Sequence, residues 1–577
     1  MAVLILAAVP FFLRLGASSL WDSNEAFYAE TPREMMESGD YLNPSFNYRP
    51  RFNKPPLSYW IVAGSYRAFG VSEWAERLPI ALGGLVMIWA AFRLARIAYS
   101  LEAGLLSAIA LASMPRFLIF SRRIFIDVYV SMFMGLVLLF FMLAEKEERH
   151  RRRYLALMYV AAGLGVLTKG PIAVALPALV FLSYLIATRR LGRLREMMLP
   201  VGALIVAAIV LPWYTAIYFE HGWGHIAGFI LKDNISRYTE PVWGPRRGPF
   251  FYVPVMLGDL FPWSLFLALA LALWLIQKIR PGALPVKEGG EPAIEKGKSE
   301  RRRLPGPESG ESSAADFQPR LLLTLWVVVI VAFFSLSRNK EDLYILPAYP
   351  AAAAIIGGLL ARGSARFVVS RGSAAFSATF VVTGLLMAFA GALVYHVFGG
   401  GAPIYALRGG GAVGVLVLAG GLLCIALALA RKRPAALICL ALSVIGANWT
   451  FTLIALPDFE RYKPVPEACE LIRAQAPADA LVGYYRFASP SMVFYLGRPI
   501  FEYYREEELE EALKSGRDVY CLMSLRDYET VGGSLSVPTY VLASYPVFQV
   551  KLKGILDRTG LPQVVLISNK NGASILR

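Results

Sequence analysis

The stretch 122–141, RRIFIDVYVSMFMGLVLLFF, decides the fold class of this chain. From Ile124 onward its eighteen residues include a single charged side chain, Asp127. An apolar run of about 18 or more residues is typical of a helix that crosses a bilayer. Similar runs recur along most of the 577 residues, of which 56% are hydrophobic and 17% charged, against about 25% charged in soluble domains. The sequence therefore predicts a polytopic α-helical membrane protein.

About thirteen apolar segments are long enough to be predicted as membrane spans. The first has no basic flank before it and no small-residue cleavage site after it, so we expect it to be retained as a span. The thirteen segments lie near residues 1–17, 79–99, 101–118, 127–145, 154–168, 170–188, 199–217, 254–277, 320–337, 343–361, 374–397, 411–430 and 435–455.

Lysine and arginine set the predicted orientation of these spans. Five basic segments fall on one side of a thirteen-span arrangement: KEERHRRR, TRRLGRLR, ARGSARFVVSR, ARKR and residues 278–320. Basic loops face the cytoplasm, which places the loops 18–78 and about 218–253 and the tail 457–577 in the periplasm of a bacterial inner membrane. The net charge of +16 then reports cytoplasmic loops, and we expect no nucleic acid partner.

Two domains are expected. Residues 1–456 form a transmembrane domain, within which residues 278–320 are rich in Gly, Pro, Ser, Glu and Lys and are predicted to be a disordered cytoplasmic linker. Residues 457–577 contain short β-rich runs such as ALVGYYRF and QVVLIS around an amphipathic helix, REEELEEALKSG, and predict a small periplasmic α/β domain. Its cysteines, Cys469 and Cys521, are either a disulfide or two buried thiols.

The outer loop 18–78 opens with an acidic and aromatic segment, WDSNEAFYAETPREM, which begins at Trp21. If this segment is helical, Asp22, Glu25 and Tyr28 share one face, because they are spaced three residues apart. The segment is either a solvated amphipathic helix on the membrane surface or the rim of a functional site.

Charged residues near the outer ends of the spans favour a functional site. A carboxylate inside a span, such as Asp127, is functional by default, and Lys169 in LTKGP stands at the outer mouth of another span. Several outer basic residues also defy the positive-inside rule, which suggests an anionic ligand, and arginine suits phosphate through its two-pronged donor geometry. These outer basic residues are Arg116, Arg122, Arg123, Arg246, Arg247, Arg338 and Lys340.

Several motifs, in order along the chain, resemble those of membrane glycosyltransferases of the GT-C class. They are NEAFYAETPREM, NKPPLSYW, RRIFIDVYVSMFM, LTKGP, DNISRYTEPVWGPRRGPFFYVP, PWSLF and SLSRNKEDLYILPAYPA, within residues 18–360. The nearest resemblance is to the branch of lipid A aminoarabinose transferases, which is related to the protein O-mannosyltransferases. It implies a GT-C fold, a polyprenyl-phosphate-linked sugar donor, a lipid or protein acceptor, contacts with membrane lipids, and an inverting transfer at the periplasmic face.

The resemblance also implies site residues. The acidic pair of the family reads Asn24-Glu25 here, so Glu25 is the expected catalytic carboxylate, with Asp22 as the alternative, and Asp127 is the second. Two lysines of the family motifs are present in this chain, and they are candidate ligands of the donor phosphate together with four outer cations. Three tyrosines are expected to line the substrate-binding site. The phosphate ligands are Lys54, Lys169, Arg122, Arg123, Arg246 and Lys340, and the tyrosines are Tyr28, Tyr59 and Tyr344.

Metal and function each leave an alternative open. Some family members hold a metal with a Glu before the KPP lysine and a His. This chain has Asn53 there, so a divalent metal stays possible with His221 as its candidate ligand, and no other cofactor is expected. A lipid-linked sugar flippase or transporter is the main alternative function, and a non-catalytic envelope-binding protein is another. Charges clustered at one face, without a visible internal repeat, favour the enzyme.

Overall fold

The computed structural model describes residues 1–22, 24–229, 231, 236–240, 247–279, 317–364, 370–400, 403, 405–548 and 561–570. These residues form a large helical body that is followed by a small α/β unit. Arg246 and most of the predicted linker 278–320 lie outside the described residues.

A helix lies at each position where the sequence predicts a span. Among the described residues, eight helices are long and apolar enough to cross a membrane, or nine if one sharply bent pair counts as a single span. The expected multi-pass helical fold is therefore confirmed, while the number of spans stays a prediction. The helices at the predicted positions are Ala2–Ala8, Glu73–Ala98, Leu101–Ser113, Ile126–Lys146, Arg151–Lys169, Ile172–Ala187, Leu199–His221, the bent pair Tyr252–Asp259 and Ser264–Ile279, Pro319–Leu336, Tyr349–Ser364, Ser370–Phe398, Gly410–Leu429 and Arg433–Thr450.

Helix starts and close helix contacts follow from small side chains. Ser72 and Ser100 precede helices and accept hydrogen bonds from the backbone N–H groups three residues later, which satisfies donors that a helix start leaves free. Helices Ser370–Phe398 and Gly410–Leu429 pack closely at Gly391. A Cβ added to Gly391 would stand 2.3 Å from the backbone nitrogen of Leu418, so only glycine allows this approach.

The bent span is held at its bend by a buried polar contact. Helices Tyr252–Asp259 and Ser264–Ile279 meet at 119°. At the end of the first, Asp259 accepts hydrogen bonds from Tyr349 and, at 3.0 Å, from Nε of Arg116, whose guanidinium also pairs with Asp342. This contact joins the bend to the segment Asp342–Ala348, which leads into the next helix.

The outer loop 18–78 contains two helices and a hairpin. The helices are Asn24–Ser38 and Leu57–Phe69, and the hairpin pairs β1 (Ser45–Phe46) with β2 (Arg49–Pro50). Both residues of the turn between the strands, Asn47 and Tyr48, have positive φ, as a tight turn matched to the strand twist requires. The segment that begins at Trp21 is therefore helical from Asn24 onward, so Glu25 and Tyr28 lie in the helix and Asp22 precedes it.

The C-terminal unit contains a mixed five-stranded sheet. Its strands are β3 (Leu481–Tyr485), β4 (Phe501–Tyr503), β5 (Val519–Ser524), β6 (Tyr540–Pro546) and β7 (Gln563–Ser568), in the order β4-β3-β5-β7-β6. Strand β3 is parallel to both β4 and β5, whereas β7 is antiparallel to β5 and β6. Its helices are Pro464–Gln475, Ser491–Leu496, Glu506–Lys514 and Leu525–Val531.

This α/β unit packs directly on the outer loop. The ring of Phe46 is buried in the apolar cluster of the unit, beside Val465 and Ala468. Cys469 is a free thiol in that cluster, and Cys521 is a free thiol in a second cluster, so the two do not form a disulfide here. The division of the chain into domains at residue 457 stays a prediction.

Candidate active site

A cavity of about 740 Å³ opens where the outer loop meets the ends of several spans. Polar residues of the loop and span ends line one part of it, and apolar side chains line another. Its lining residues include Asn24, Tyr28, Lys54, Phe125, Ile126, Asp127, Val130, Met134, Lys169, Pro171, Ile172, Ala175, Leu176, Tyr238, Thr239, Phe333, Phe334, Ser337, Asn339, Glu341, Leu343, Tyr344 and Pro347.

An ion pair between two neighbouring helices lies in this cavity. Asp127 stands in the first turn of helix Ile126–Lys146, where the helix dipole stabilises a negative charge. Lys169 ends helix Arg151–Lys169 and donates a hydrogen bond to Asp127. Its ammonium group is also 4.9 Å from the centre of the Tyr344 ring. The two helices therefore hold one carboxylate and one cation together at the cavity.

The opposite ends of the same two helices carry a basic cluster. Glu145 is buried near the end of helix Ile126–Lys146 and accepts a hydrogen bond of 2.7 Å from Arg151. Arg190 and Arg193 approach the same carboxylate at 3.5 and 3.9 Å. Because Asp127 and Glu145 mark the two ends of one span, the cavity and the basic loops lie on opposite faces of the helical body.

The cavity wall changes from polar to apolar. Phe333, Phe334, Ile172 and Leu176 come from spans and offer no charge, whereas Lys54, Lys169 and Asp127 are charged. Such a cavity suits a ligand with a hydrocarbon chain and an acidic group.

Among the described residues of the outer loop, three reach the cavity: Asn24, Tyr28 and Lys54. The Tyr28 ring stacks on that of Tyr59 with 5.6 Å between the centroids. Tyr59 is fully buried behind Tyr28 and is not among the lining residues, so it supports the wall from outside.

Glu25 faces away from the cavity and pairs with a buried arginine. Its carboxylate accepts hydrogen bonds of 2.8 and 3.0 Å from Arg77, and the two residues are only 2% and 1% exposed. Burial alone would raise the pKa of Glu25, but the charge and hydrogen bonds of Arg77 bring it below its ordinary value. Arg77 also donates to backbone oxygens of Leu15, Ser18 and Ser19, so the pair fixes the chain that leads into the loop.

Asp22 joins the outer loop to the C-terminal unit. Its two carboxylate oxygens accept hydrogen bonds from the backbone N–H of Ser491, at 2.7 Å, and from the Ser491 hydroxyl, at 2.6 Å. Asp22 is not among the residues that line the cavity. Asn24 and Tyr28, which follow it in the sequence, are.

The remaining candidate phosphate ligands also have other contacts. Arg122 donates to the backbone oxygens of Pro10, Leu13 and Arg14, which end the first helical segment. Arg123 stacks on Trp21, and Lys340 is buried and donates to the backbone oxygen of Ser337. The structure thus brings Lys54, Lys169, Asp127, Tyr28 and Tyr344 together at the cavity, and places these three basic residues outside its wall.

His221 is held by an amide. Its Nε2 atom is 2.6 Å from Oδ1 of Asn43, and its ring packs 4.8 Å from that of Phe52. Asn53 is exposed. No group of three or more His, Cys, Asp or Glu side chains in the described part of the chain is arranged to hold a metal ion, so His221 and its neighbours do not match a metal-binding set.

The sequence did not single out several polar residues of the cavity: Asn24, Tyr238, Asn339 and Glu341. For Asn24 the sequence did offer an indication, because this residue occupies the first position of the acidic pair in the family motif. Asn339 and Glu341 lie inside the motif SLSRNKEDLYILPAYPA, in which attention to basic residues favoured Lys340.

Known proteins resemble this chain in sequence and in fold. The model of the dolichyl-phosphate-mannose-protein mannosyltransferase family matches residues 53–215. An uncharacterised protein of Aquifex aeolicus is 31% identical over 62% of this chain and 63% of its own length. An undecaprenyl phosphate-α-4-amino-4-deoxy-L-arabinose arabinosyl transferase of Pseudomonas fluorescens is 29% identical over 61% of this chain and 56% of its own length. The chain thus matches about three fifths of the length of these relatives.

A solved structure shares the fold over the whole chain. The crystal structure of ArnT from Cupriavidus metallidurans bound to undecaprenyl phosphate superposes with a TM-score of 0.75 at 22% identity, and covers 100% of this chain and 99% of that one. The expected resemblance is confirmed: the chain is a multi-pass membrane protein with the GT-C fold, related in sequence to the aminoarabinose transferases and the protein mannosyltransferases.

Proposed function

We propose that this protein is a glycosyltransferase that moves a sugar from a polyprenyl-phosphate donor to an envelope acceptor, a lipid or a protein, with inversion at the anomeric carbon. The observation that carries the proposal is the cavity, in which Lys54, Lys169 and Asp127 stand next to a wall of apolar span residues. The named activity of the curated relatives supports the same donor class.

The donor chemistry explains the two lysines. In the transfer, the bond between the anomeric carbon and the phosphate oxygen breaks, and its electron pair stays on the phosphate. An oxygen of the acceptor forms the new bond from the opposite side of the sugar. Lys54 and Lys169 stand where their charges stabilise the departing phosphate, and fixed charges in a partly dry site are effective at this.

Asp127 is the carboxylate of the proposed reaction. It is at the cavity, whereas Glu25 and Asp22 are engaged with Arg77 and Ser491. If the acceptor is a hydroxyl, Asp127 takes its proton as the new bond forms, an assistance that typically contributes about 10²–10⁴-fold. If the acceptor is already ionised, Asp127 orients Lys169 and the sugar instead. Asn24 and Tyr28 complete the sugar-facing rim.

The proposed location is the bacterial inner membrane, with the cavity and the C-terminal unit in the periplasm. The arginine cluster around the buried Glu145 lies at the opposite ends of the spans that carry Asp127 and Lys169. Because basic loops stay in the cytoplasm, the cavity then opens to the outer side.

The test is a transfer assay on purified protein in detergent. Radiolabelled undecaprenyl-phosphate sugars, beginning with 4-amino-4-deoxy-L-arabinose, are incubated with lipid and protein fractions of the envelope. We expect label to move to an acceptor without any ion gradient, because cleavage of the bond between the sugar and the donor phosphate supplies the free energy for transfer.

The same protein, reconstituted in vesicles, distinguishes the proposed transferase from the alternative function, a lipid-linked sugar flippase. Translocation of the labelled donor across the bilayer, without transfer to any acceptor fraction, would replace the proposed transferase by a lipid-linked sugar flippase.

A further inference from the structure

Trp21 contacts two cationic side chains at the junction of the outer loop and the C-terminal unit. The guanidinium carbon of Arg123 is 3.5 Å from the centre of the indole ring, and the ammonium nitrogen of Lys463 is 4.1 Å from it. These three residues come from separate parts of the chain: the start of the outer loop, the short loop before helix Ile126–Lys146, and the segment before helix Pro464–Gln475. None of the three lines the cavity of the proposed active site.

Hydrogen-bond donors at this junction lack acceptors. The indole Nε1 of Trp21 is buried and has no hydrogen-bond partner within the described residues. The guanidinium of Arg123 carries five N–H donors, and its contacts with the described part of the chain are the Trp21 ring and longer-range charges, without a hydrogen bond. Buried donors are nearly always paired in folded proteins, so the indole N–H of Trp21 lacks an acceptor, and the half-buried Arg123 beside it has donors to spare.

Two cations of the junction form no ion pair within the described residues. The junction holds Arg77, Arg122, Arg123 and Lys463, and the carboxylates that act on these cations are those of Asp22, Glu25, Glu76 and Glu460. Glu25 is committed to Arg77, Glu460 is 3.1 Å from Lys463 and Asp22 holds Ser491, so no described carboxylate is in contact with Arg122 or Arg123. Burial lowers the pKa of Arg123 to about 10 and that of Lys463 to about 8, because this environment stabilises the two positive charges poorly. A bound anion would give Arg123 the partner that these carboxylates do not supply.

We propose that Trp21, Arg123 and Lys463 form a second anion site, which binds a phosphate group. The indole donates one hydrogen bond, the planar guanidinium donates two in parallel, and the ammonium supplies a point charge. The phosphate comes either from a lipid headgroup in the outer leaflet or from free phosphate in solution.

The site stands at the edge of the active-site cavity. Asn24 follows Trp21 by three residues and Phe125 follows Arg123 by two, and both line the cavity. Lys463 also donates a hydrogen bond of 2.7 Å to the backbone oxygen of Ser19. A phosphate bound here therefore ties the outer loop, the short loop and the C-terminal unit together without occupying the lysines of the cavity.

The test measures phosphate binding in the full-length protein, carrying Lys54→Gln and Lys169→Gln so that cavity lysines do not contribute. Inorganic phosphate is titrated at constant ionic strength in neutral detergent. The same background protein is melted in phosphatidylcholine nanodiscs with and without phosphatidic acid. We expect binding or thermal stabilisation from one of these probes, weakened at least about tenfold by Arg123→Gln and by Lys463→Gln, and less strongly by Trp21→Phe.

Arg461→Gln is the matched control, since Arg461 lies two residues before Lys463 but is exposed and pairs with Asp458. It should leave binding unchanged. Arg123→Lys is the second variant if Arg123→Gln folds poorly: it keeps the charge but loses the two parallel hydrogen bonds, so we expect weaker phosphate binding than in the background protein. An effect of inorganic phosphate supports a soluble ligand, and an effect of phosphatidic acid alone supports a lipid headgroup. No effect of either probe, or equal effects in the background protein and in Arg123→Gln, would overturn the proposal.

Discussion

At the scale of single residues, neighbouring acids of the outer loop have different partners. Glu25 is inside a buried ion pair with Arg77, and Asp22 holds Ser491, whereas Asp127 stands in the cavity. The carboxylates of Asp22 and Glu25 therefore position the loop, and the described residues of WDSNEAFYAE that reach the cavity are Asn24 and Tyr28.

Glu25→Gln should reduce stability more than chemistry. The change leaves the Arg77 charge buried without its partner, which typically costs about 3–5 kcal/mol. We expect a large drop in melting temperature, and a turnover per folded molecule that stays close to wild type at low temperature. Thermal unfolding and active-site-normalised transfer rates measure the two effects. A normal melting temperature combined with a strong loss of turnover would return Glu25 to the role of catalytic carboxylate.

Lys463 gives the second anion site a pH dependence. Burial lowers its pKa to about 8, while Glu460 and Glu25 act to raise it and Arg77 and Arg123 to lower it. Below about pH 8 the free protein carries the charge, so anion binding is strongest there and weakens as the pH rises further. Titration with sulfate, whose own charge is constant over this range, should show affinity falling above about pH 8. Lys463→Arg should remove this slope, because arginine stays protonated, and an unchanged slope in that variant would assign it to another group.

At the scale of elements, the outer loop and the C-terminal unit behave as one assembly. Besides Asp22, Asn47 in the hairpin turn makes two hydrogen bonds of 2.8 Å with the backbone of Ile500, and Leu20 donates to the hydroxyl of Tyr495. Because Asn24, Tyr28 and Lys54 come from this loop, the unit positions three residues of the cavity wall.

Asp22→Asn and Ser491→Ala should therefore act through position. Each removes part of the same pair, so we expect both to lower the transfer rate, the double variant to be no worse than the poorer single one, and the pH profile to keep its shape. Ser524→Ala is the control, because Ser524 lies in the same unit but only caps helix Leu525–Val531, where its hydroxyl oxygen accepts a hydrogen bond from the backbone N–H of Asp527. Independent, additive losses in the double variant would contradict a shared role.

The sequence predicted elements better than it predicted contacts. Helices lie at the expected spans because apolar length alone determines them, and Asp127 and Lys169 were found because charge at a span end is costly. The pairing of Glu25 with Arg77 joins residues 52 positions apart, and nothing local in the sequence marks it. The motif resemblance likewise identified Lys54 and Tyr344, but could not tell that Lys340 is buried on the backbone oxygen of Ser337 and is not among the residues that line the cavity.

At the scale of the whole molecule, one side of the membrane carries the cavity, the outer loop and the C-terminal unit. The loop contacts that unit directly, and the arginine cluster around Glu145 lies at the opposite ends of the spans. The cavity and the folded tail therefore share a compartment, whichever side that is.

A reporter fused after Arg577 tests which compartment it is. The positive-inside rule predicts a periplasmic tail, so alkaline phosphatase, which folds only outside the cytoplasm, should be active in the fusion. Green fluorescent protein fused at the same position should give no fluorescence, because it is exported in unfolded form. Active cytoplasmic reporter with inactive phosphatase would reverse the orientation and move the cavity to the cytoplasm.

The transfer rate of Asp127→Asn protein tests the central claim most directly. If the cavity performs sugar transfer from a polyprenyl-phosphate donor to a hydroxyl acceptor, this near-isosteric change should lower the rate by about 10²–10⁴-fold, or about 2.7–5.5 kcal/mol of transition-state stabilisation. The folded fraction and the melting temperature are measured alongside, so that the rate refers to intact protein. A rate equal to wild type in well-folded Asp127→Asn, with the acceptor shown to be a hydroxyl, would contradict the assignment of this cavity as the active site.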